Sequence, residues 1–215
     1  MKLKDGREVT ARRYREQDAP AVATLIRRNF LEVNAKDYGE AAMEALARQY
    51  DAEHIRNVAS YANMYVFCME ETLVGVGAIS SFWGSLTESI LLTIFVLPEL
   101  HGNGIGRFIV RTLEQDEFFL RAERIEIPAS VTAAEFYRRM GYNYKNGVKV
   151  LDGEGHYRME KFNGEEFHAK LLLQSRIYVY VSQAHLSVTE NAPKMRSCSR
   201  WVCCVCAEIR LGRFL

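Results

Sequence analysis

The most constraining feature of this sequence is an apolar segment that ends at a proline and leads through a glycine-rich turn into a helical pattern. Residues 88–97 predict a strand, and its apolar residues lie on both faces: Leu91, Leu92, Ile94, Phe95 and Val96. A strand that is apolar on both faces is typical of the middle of a covered sheet. Pro98 cannot donate to a strand ladder and therefore ends the strand. The turn at residues 101–106 has glycine at every second position. From residue 107 to about residue 120 the apolar spacing predicts a helix.

The glycine-rich turn has the composition of a phosphate-binding turn. Without Cβ atoms, the successive N–H groups of Gly102, Gly104 and Gly106 can point into one concavity, and the following helix adds its unpaired amides and the positive end of its dipole. A diphosphate fits such a site. A plain turn between a strand and a helix has the same spacing. Two other phosphate motifs are excluded: the third glycine comes one position too early for the dinucleotide fingerprint, and no Gly-Lys-Ser/Thr is present.

A second informative segment follows this helix. Residues 124–128 predict a strand, and Ser130 is expected to cap a helix that runs through Met140. Gly141 occupies the position where glycine commonly ends a helix. Residues 142–144 and 155–162 predict a closing pair of strands.

The chain ahead of the turn predicts a strand, three helices and a hairpin. The expected elements are strand 9–14, helices 18–33, 41–49 and 52–61, and hairpin strands 64–69 and 72–80. Asp18 is a candidate N-cap, with Pro20 in the first helical turn. Residues 34–39 predict a loop. The complete pattern is that of a mixed α/β fold.

Composition limits the class of protein. A chain of 215 residues with 48% hydrophobic and 26% charged residues is typical of one soluble globular domain, with or without an extension. The net charge of +1 argues against a large nucleic-acid surface. The first residues have charges and no apolar run, and no stretch approaches the ~18 apolar residues that a bilayer span needs. We therefore expect a cytoplasmic protein without a nucleic-acid or membrane partner.

Together the two informative segments resemble the GCN5-related N-acetyltransferase (GNAT) superfamily. That family's coenzyme A loop, Gln/Arg-x-x-Gly-x-Gly/Ala, is similar to His101-Gly102-Asn103-Gly104-Ile105-Gly106, where His101 replaces the usual Arg or Gln. Its later motif, Phe/Leu-Tyr-x-x-x-Gly-Phe/Tyr, is similar to residues 136–142. The resemblance covers about residues 7–162. It implies the GNAT fold, a mixed and mostly antiparallel α/β sheet that splays around the cofactor and is flanked by helices.

The resemblance implies acetyl-CoA as the acyl donor and an amine, of a small molecule or a protein, as the acceptor. The resemblance is also compatible with a homodimer. The backbone near Phe95 and Val96 is expected to pair with the pantetheine arm, and one amide there to polarise the thioester carbonyl. Ser130 lies where many relatives have an Asn that contacts the cofactor, although helix capping alone also explains it. The remaining residues expected to contact the cofactor are His101, Gly102, Asn103, Gly104, Ile105, Gly106 and Arg107.

The catalytic groups are less well marked. Tyr137 falls where many relatives place the general acid, since a phenol can stabilise or protonate the leaving thiolate; a core aromatic residue is the alternative. Relatives that use a carboxylate base often carry it within the strand before the loop. Here the middle of that strand, from Ile90 to Val96, is apolar except for Thr93. Glu88, at the start of this strand, is the nearest candidate, and Glu126 is the second. A base acting through water, or an acceptor that is already neutral, fits as well.

Two alternatives to an N-acetyltransferase stay open. One is a non-catalytic acyl-CoA sensor or regulatory module on the same fold, because fold alone does not decide activity. The other is a glycine-rich α/β domain for a different nucleotide. His54, His101 and His156 are scattered in the sequence, and no cluster with metal-ligand spacing is expected in residues 1–162. We therefore expect no metal in this part of the chain.

The C-terminal part of the chain differs in character. We expect the GNAT domain to span residues 1–165 and an extension, not needed for activity, to span residues 166–215. Residues 163–215 have seven lysines and arginines against four glutamates. Their four cysteines, at 198, 203, 204 and 206, lack the repeated pair spacing of zinc sites, so a loosely packed tail is favoured over a metal site. The run at 177–181 has strong β character, whereas the isolated Cys68 is expected to be buried as a small apolar residue.

Overall fold

The computed structural model describes residues 1–163. The expectations for the extension, its cysteines and the run at 177–181 lie outside these residues. Seven strands of the described part form one sheet. They are β1 (Val9–Arg13), β2 (Asn63–Met69), β3 (Thr72–Ser81), β4 (Glu88–Val96), β5 (Arg124–Ala129), β6 (Asn143–Tyr144) and β7 (Tyr157–Phe162).

The sheet has the strand order β1-β2-β3-β4-β5-β7-β6, which puts β4 in its centre. Strands β4 and β5 are parallel, and all other neighbours are antiparallel. The predicted hairpin is confirmed as β2 and β3, and the predicted closing pair as β6 and β7. The mixed, mostly antiparallel sheet with flanking helices confirms the predicted fold class.

The parallel pair opens along its length. Pairing between β4 and β5 runs only from Glu88 opposite Arg124 to Ile90 opposite Glu126. Beyond this point β5 stays paired with β7, while residues 91–96 of β4 have no described strand on that edge. We call the resulting gap, between residues 91–96 of β4 and residues 127–129 of β5, the cleft. Residues 92–95 were expected to be covered on both faces, but they are only half-buried because the cleft opens beside them.

Seven α-helices cover the sheet in the described residues. They are α1 (Ala19–Asn29), α2 (Ala35–Tyr38), α3 (Glu40–Gln49), α4 (Ala52–Tyr61), α5 (Ile105–Leu113), α6 (Glu117–Leu120) and α7 (Ala134–Arg139). None of these helices has the length and hydrophobicity that a bilayer span requires.

Successive side chains of a strand point to opposite faces of the sheet, and each face has its own apolar core. Val66 and Cys68 of β2 pack with α1, α3 and α4, and Cys68 is buried as expected. Phe67 points to the opposite core, with residues of α5 and α7. Helix α5 packs so closely on the strands that a Cβ on Gly77 would lie 2.4 Å from Ile109 Cγ2.

The segment before α3 departs from the sequence prediction. Helix α1 ends at Asn29, and residues 30–34 continue as a π-helical turn into α2, where a loop was expected at 34–39. Pro20 lies in the first helical turn as predicted, but Asp18 makes no side-chain cap. Its carboxylate instead accepts two hydrogen bonds from Arg12, at 2.7 and 2.8 Å, and the cap prediction was therefore wrong.

The helix predicted from residue 107 to about residue 120 is two helices. α5 ends at Leu113, and Asp116 begins α6 by accepting a hydrogen bond of 2.9 Å from the Phe118 amide. The Asp116 carboxylate caps the start of a second helix, although the apolar pattern continues without interruption. Periodicity alone therefore does not reveal the break between α5 and α6.

Candidate active site

The glycine-rich turn joins the end of β4 to α5 and has an accessible backbone. Gly102 and Gly104 have φ angles of 79° and 84°, in the left-handed region that residues with side chains rarely adopt. Among residues 1–163, a Cβ on Gly102 would meet nothing within 4 Å, and one on Gly104 would meet only Met1 Cε, at 3.8 Å. Side chains therefore leave this backbone open to a ligand.

The amides of this turn are left unpaired by the described part of the chain. From Gly102 to Arg107, none of the six backbone N–H groups donates a hydrogen bond to an acceptor in residues 1–163. The next amide, that of Phe108, donates to Gly104 O at 3.1 Å. Six unpaired donors at the positive end of a helix dipole stabilise an anion. The exposed guanidinium groups of Arg107 and Arg111 add positive charge along α5.

The end of β4 is fixed by two side chains that share one acceptor. Val96 O accepts a hydrogen bond of 2.9 Å from Asn29 Nδ2 and one of 3.0 Å from His101 Nε2, which therefore carries a proton. The same Asn29 nitrogen also donates to Leu25 O at 2.9 Å, and Asn29 is buried. This arrangement ties α1, β4 and the first residue of the glycine-rich turn together.

The contacts of Val96 refine its predicted role. Leu97 N donates to Val74 O of β3 at 2.9 Å, so the preceding Val96 N–H faces the other way, towards the cleft. The Val96 carbonyl is already occupied by Asn29 and His101. Any pairing of a ligand with Val96 therefore uses its amide.

A β-bulge lies in the open half of β4. Val76 and Ala78 of β3 stand opposite Phe95 and Leu92, so Thr93 and Ile94 together oppose a single residue of β3. Thr93 has a φ of 53°, which is strained for a β-branched residue. Bulges re-aim backbone groups and are common beside active sites. This bulge was not predicted, although Gly77, a glycine inside a strand, is a signal for one.

We expect Asn29→Leu to weaken both folding and coenzyme A binding. The change leaves the Leu25 carbonyl and the shared Val96 carbonyl each without one donor, which costs about 1–3 kcal/mol of unfolding free energy. Asn163→Leu is a matched control, since Asn163 Nδ2 also donates to two backbone carbonyls, at 2.9 and 3.0 Å. Urea unfolding should show a loss in both variants. Coenzyme A titration should show a weaker Kd in Asn29→Leu alone, and equal Kd values would contradict the role of Asn29 at the turn.

Tyr137, which belongs to the motif at residues 136–142, lies in the core. Its side chain is buried between the rings of Phe136 and Tyr142, with centroids 4.9 and 6.1 Å away. Burial raises the pKa of Tyr137, so the phenol stays protonated near neutral pH. Its hydroxyl has no hydrogen-bond partner in the described part of the chain. Burial suits a core aromatic residue, whereas the unpaired donor favours an acid awaiting an acceptor.

Ser130 begins the turn that leads into α7. Its Oγ accepts a hydrogen bond of 3.3 Å from Ala133 N, and its carbonyl accepts from Ala133 and Ala134. The regular helix starts at Ala134, later than predicted, and Gly141 ends it with a φ of 89°, as expected. These bonds favour the capping role of Ser130, and its contact with a cofactor stays a prediction.

Glu88 and Glu126 lie at the closed end of the cleft. Arg124 pairs with both carboxylates, and Lys145 Nζ is 2.9 Å from Glu126. Glu126 is 1% exposed, and Glu88 is paired at the first residue of β4, whereas the open edge begins at residue 91. This placement gives no support to Glu88 or Glu126 as the general base.

The segment from Asn29 to Tyr38, which we call the bridge, connects the two sides of the cleft. At one end Asn29 bonds β4. At the other end Tyr38 Oη accepts a hydrogen bond of 3.1 Å from Val131 N, just after β5, and donates one of 3.0 Å to Gly155 O. Asp37 also accepts a hydrogen bond from Thr132. These bonds explain why the segment is ordered as π-helix and α2.

The hairpin before β7 brings together side chains that are two residues apart in sequence. The ligand atoms of Asp152, Glu154 and His156 lie within 4.8 Å of one another, so the expectation that the core holds no such cluster was wrong. Asp152 is already bound to Arg158 Nε at 2.6 Å and to the amides of residues 154 and 156. The absence of a metal from the core stays a prediction.

Comparison with known proteins identifies the family. A family model described as an acetyltransferase (GNAT) domain matches residues 34–162, more than half of the chain, and the chain therefore belongs to the GNAT acetyltransferase family. None of the curated proteins compared with the sequence matches it significantly.

Several solved structures share the fold. The PaiA N-acetyltransferase from Thermoplasma acidophilum, in complex with coenzyme A, has 18% identity and a TM-score of 0.63, over 73% of this chain and 99% of that chain. A GCN5-related N-acetyltransferase from Rhodopseudomonas palustris has 22% identity and a TM-score of 0.61, over 76% and 99%. A GNAT family acetyltransferase from Brucella melitensis, in complex with acetyl-CoA, has 19% identity and a TM-score of 0.52, over 74% and 90%. At these identities the similarity establishes the fold alone.

Proposed function

We propose that this protein is an N-acetyltransferase that transfers the acetyl group of acetyl-CoA to an amine by direct attack on the thioester. The observation that carries this proposal is the run of six unpaired amides from Gly102 to Arg107, at the start of α5 and beside the open edge of β4. Membership of the GNAT acetyltransferase family supports acetyl-CoA as the donor. The Thermoplasma and Brucella structures, which contain coenzyme A and acetyl-CoA, support it as well.

The glycine-rich turn and β4 bind different parts of acetyl-CoA. The amides of Gly102 to Arg107 bind the diphosphate, whose negative charge the α5 dipole and Arg107 stabilise. The free edge of β4 offers backbone groups to the amide-containing pantetheine arm. The Val96 N–H, which faces the cleft, is suited to donate to the thioester carbonyl and to stabilise the negative charge that develops there.

Acetyl transfer then needs an acid and a base. The amine nitrogen forms a bond to the acetyl carbon, the carbon–sulfur bond breaks, and its electron pair leaves on sulfur. Tyr137 donates its phenolic proton towards this sulfur, so the leaving group departs as a thiol, and solvent reprotonates the phenolate. An alkylammonium has a pKa near ~10, so the acceptor must also lose a proton before it attacks.

An acyl-CoA sensor is the second candidate function. The open half of β4, residues 91–96, has no carboxylate that could act as a base, and this favours a module that binds acyl-CoA without turnover. Binding and thiol release separate the two functions.

We expect acetyl-CoA to raise the melting temperature of the purified protein, and thiol to be released in the presence of a suitable amine. Release should be followed with a thiol-reactive chromophore, in the burst and in the steady state, over a panel of small amines and peptide amines. Binding without amine-dependent release would identify the sensor. A protein that ignores coenzyme A would contradict both functions.

A further inference from the structure

His156 lies where three elements at the side of the cleft meet. It directly precedes β7, in which Tyr157 stands opposite Ala129, the last residue of β5. His156 is therefore level with Ser130, where the chain leaves β5 beside the cleft. Its ring centroid is 6.3 Å from that of Tyr38, the residue through which the bridge bonds Val131 and Gly155.

One nitrogen of this imidazole is unused. Nδ1 of His156 is inaccessible to solvent and makes no hydrogen bond within the described residues. The side chain as a whole is 34% exposed, so the rest of the ring can be reached from outside. Nδ1 is buried and lies 3.8 Å from Glu154 Oε2, which suits it to carry the N–H of the neutral imidazole. Nε2 is then the nitrogen that can accept a proton.

The charged groups around His156 suit a proton acceptor. Glu154 Oε2 lies 3.8 Å from Nδ1, and Asp152 belongs to the same hairpin. Arg158 of β7 pairs with both carboxylates, at 2.6 Å from Asp152 and 3.7 Å from Glu154, while Tyr38 of the bridge contributes a neutral ring. The two carboxylates stabilise an imidazolium once it has formed.

Burial keeps the imidazole neutral until a proton arrives. Desolvation lowers the pKa of His156 from its usual 6.5, against the opposing effect of Asp152 and Glu154, and Arg158 lowers it further. A histidine whose pKa lies below neutral is unprotonated at pH 7 and can accept a proton.

We propose that His156 is the general base of the acetyl transfer and that its Nε2 accepts, directly or through one water, the proton that the amine nitrogen loses as it attacks the thioester. This inference rests on the proposed N-acetyltransferase function. One proton passes from the amine nitrogen to the imidazole, which returns it to solvent after the thiol has left, so the net reaction consumes amine and thioester and yields amide and thiol. Unlike Glu88 and Glu126, His156 is next to the end of β5 at the open part of the cleft.

The first test is His156→Gln, with His54→Gln as the matched control. His54 also packs on a tyrosine, Tyr50, with centroids 4.2 Å apart, but it belongs to α4. We expect kcat to fall about 100-fold in His156→Gln, the lower end of the effect of a general base. The Kd for acetyl-CoA should stay unchanged, and His54→Gln should keep the wild-type kcat. A His156→Gln variant with wild-type kcat would overturn the assignment.

The pH profile gives a readout that a structural role does not move. In the wild type, kcat at saturating amine should fall as pH decreases through the pKa of His156, because the protonated imidazole accepts no proton. This acidic limb should be missing from His156→Gln. The ratio kcat/KM is unsuited to this test, because it also reports protonation of the free amine. In Glu154→Gln the limb should move to lower pH, because loss of the carboxylate removes an effect that raises the pKa of His156. Glu154→Gln keeps the test decisive if His156→Gln fails to fold.

Two other results would count against the proposal in distinguishable ways. Activity that a chelator abolishes and Zn²⁺ restores would assign Asp152, Glu154 and His156 to a metal instead. A wild-type protein that binds acetyl-CoA but releases no thiol with any amine would reject the proposed function itself, and the base with it.

Discussion

Tyr137→Phe is expected to lower kcat by roughly 10²–10⁴-fold while the Kd for acetyl-CoA stays within about twofold. Burial keeps the phenol protonated. Because the hydroxyl has no acceptor among the described residues, its O–H is free to donate to the leaving sulfur. A coenzyme A thiol resembles that of cysteine, with a pKa near ~8.5. It therefore leaves as a thiolate unless a donor protonates it. Single-turnover thiol release measures the chemical step, and calorimetric titration measures Kd.

Tyr142→Phe is the matched control for this change. Tyr142 is also buried, its ring lies 6.1 Å from that of Tyr137, and its hydroxyl has no partner in the described residues. Both variants therefore lose an unpaired phenolic oxygen from the same core. Wild-type turnover in Tyr142→Phe with a loss in Tyr137→Phe would support the acid. Equal turnover in all three proteins would return Tyr137 to a core role.

The parts of the fold that the sequence predicted are those with local causes. The glycine-rich turn, the proline at 98 and the helix end at Gly141 each act through the backbone of one or two residues, so their effect is visible without the partner elements. Residues 34–39 were predicted to be a loop, and this prediction failed because the helical structure of α2 depends on partners that are distant in the sequence. Tyr38 bonds Val131 and Gly155, which a reading along the chain does not bring near it.

In the candidate site, too, the features with local causes were predicted from the sequence, and those that depend on packing were not. A diphosphate site made of consecutive amides lies in one short segment, so its motif was recognisable. The shared Val96 carbonyl joins Asn29 to His101, and the proposed base His156 owes its position to the register of β5 with β7. The bulge at Thr93 is a relation between two strands. Such features depend on packing, for which side-chain periodicity along one strand contains no information.

Gly102→Asp is expected to weaken coenzyme A binding by about 100-fold, because it puts a carboxylate beside the amides that bind the diphosphate. Two unit charges about 5 Å apart repel by about 3 kcal/mol at an effective dielectric constant near 20, and each 1.4 kcal/mol is about tenfold in Kd. Gly102 has a φ of 79° and open space around its Cβ position, and aspartate tolerates this backbone region better than most residues. The loss should shrink at high salt, since exposed charges are screened.

Two controls separate charge from backbone strain. Gly102→Asn has nearly the same shape and the same tolerance of a positive φ, so it should cost far less affinity than Gly102→Asp. Gly6→Asp puts the same carboxylate at another open glycine, with a φ of 88°, outside the turn, and its Kd should equal that of the wild type. Titration of coenzyme A into the three variants at low and high salt provides the comparison. If Gly102→Asp bound coenzyme A as tightly as Gly102→Asn, the diphosphate would have to lie elsewhere, because a carboxylate so close to a bound anion cannot be neutral in its effect.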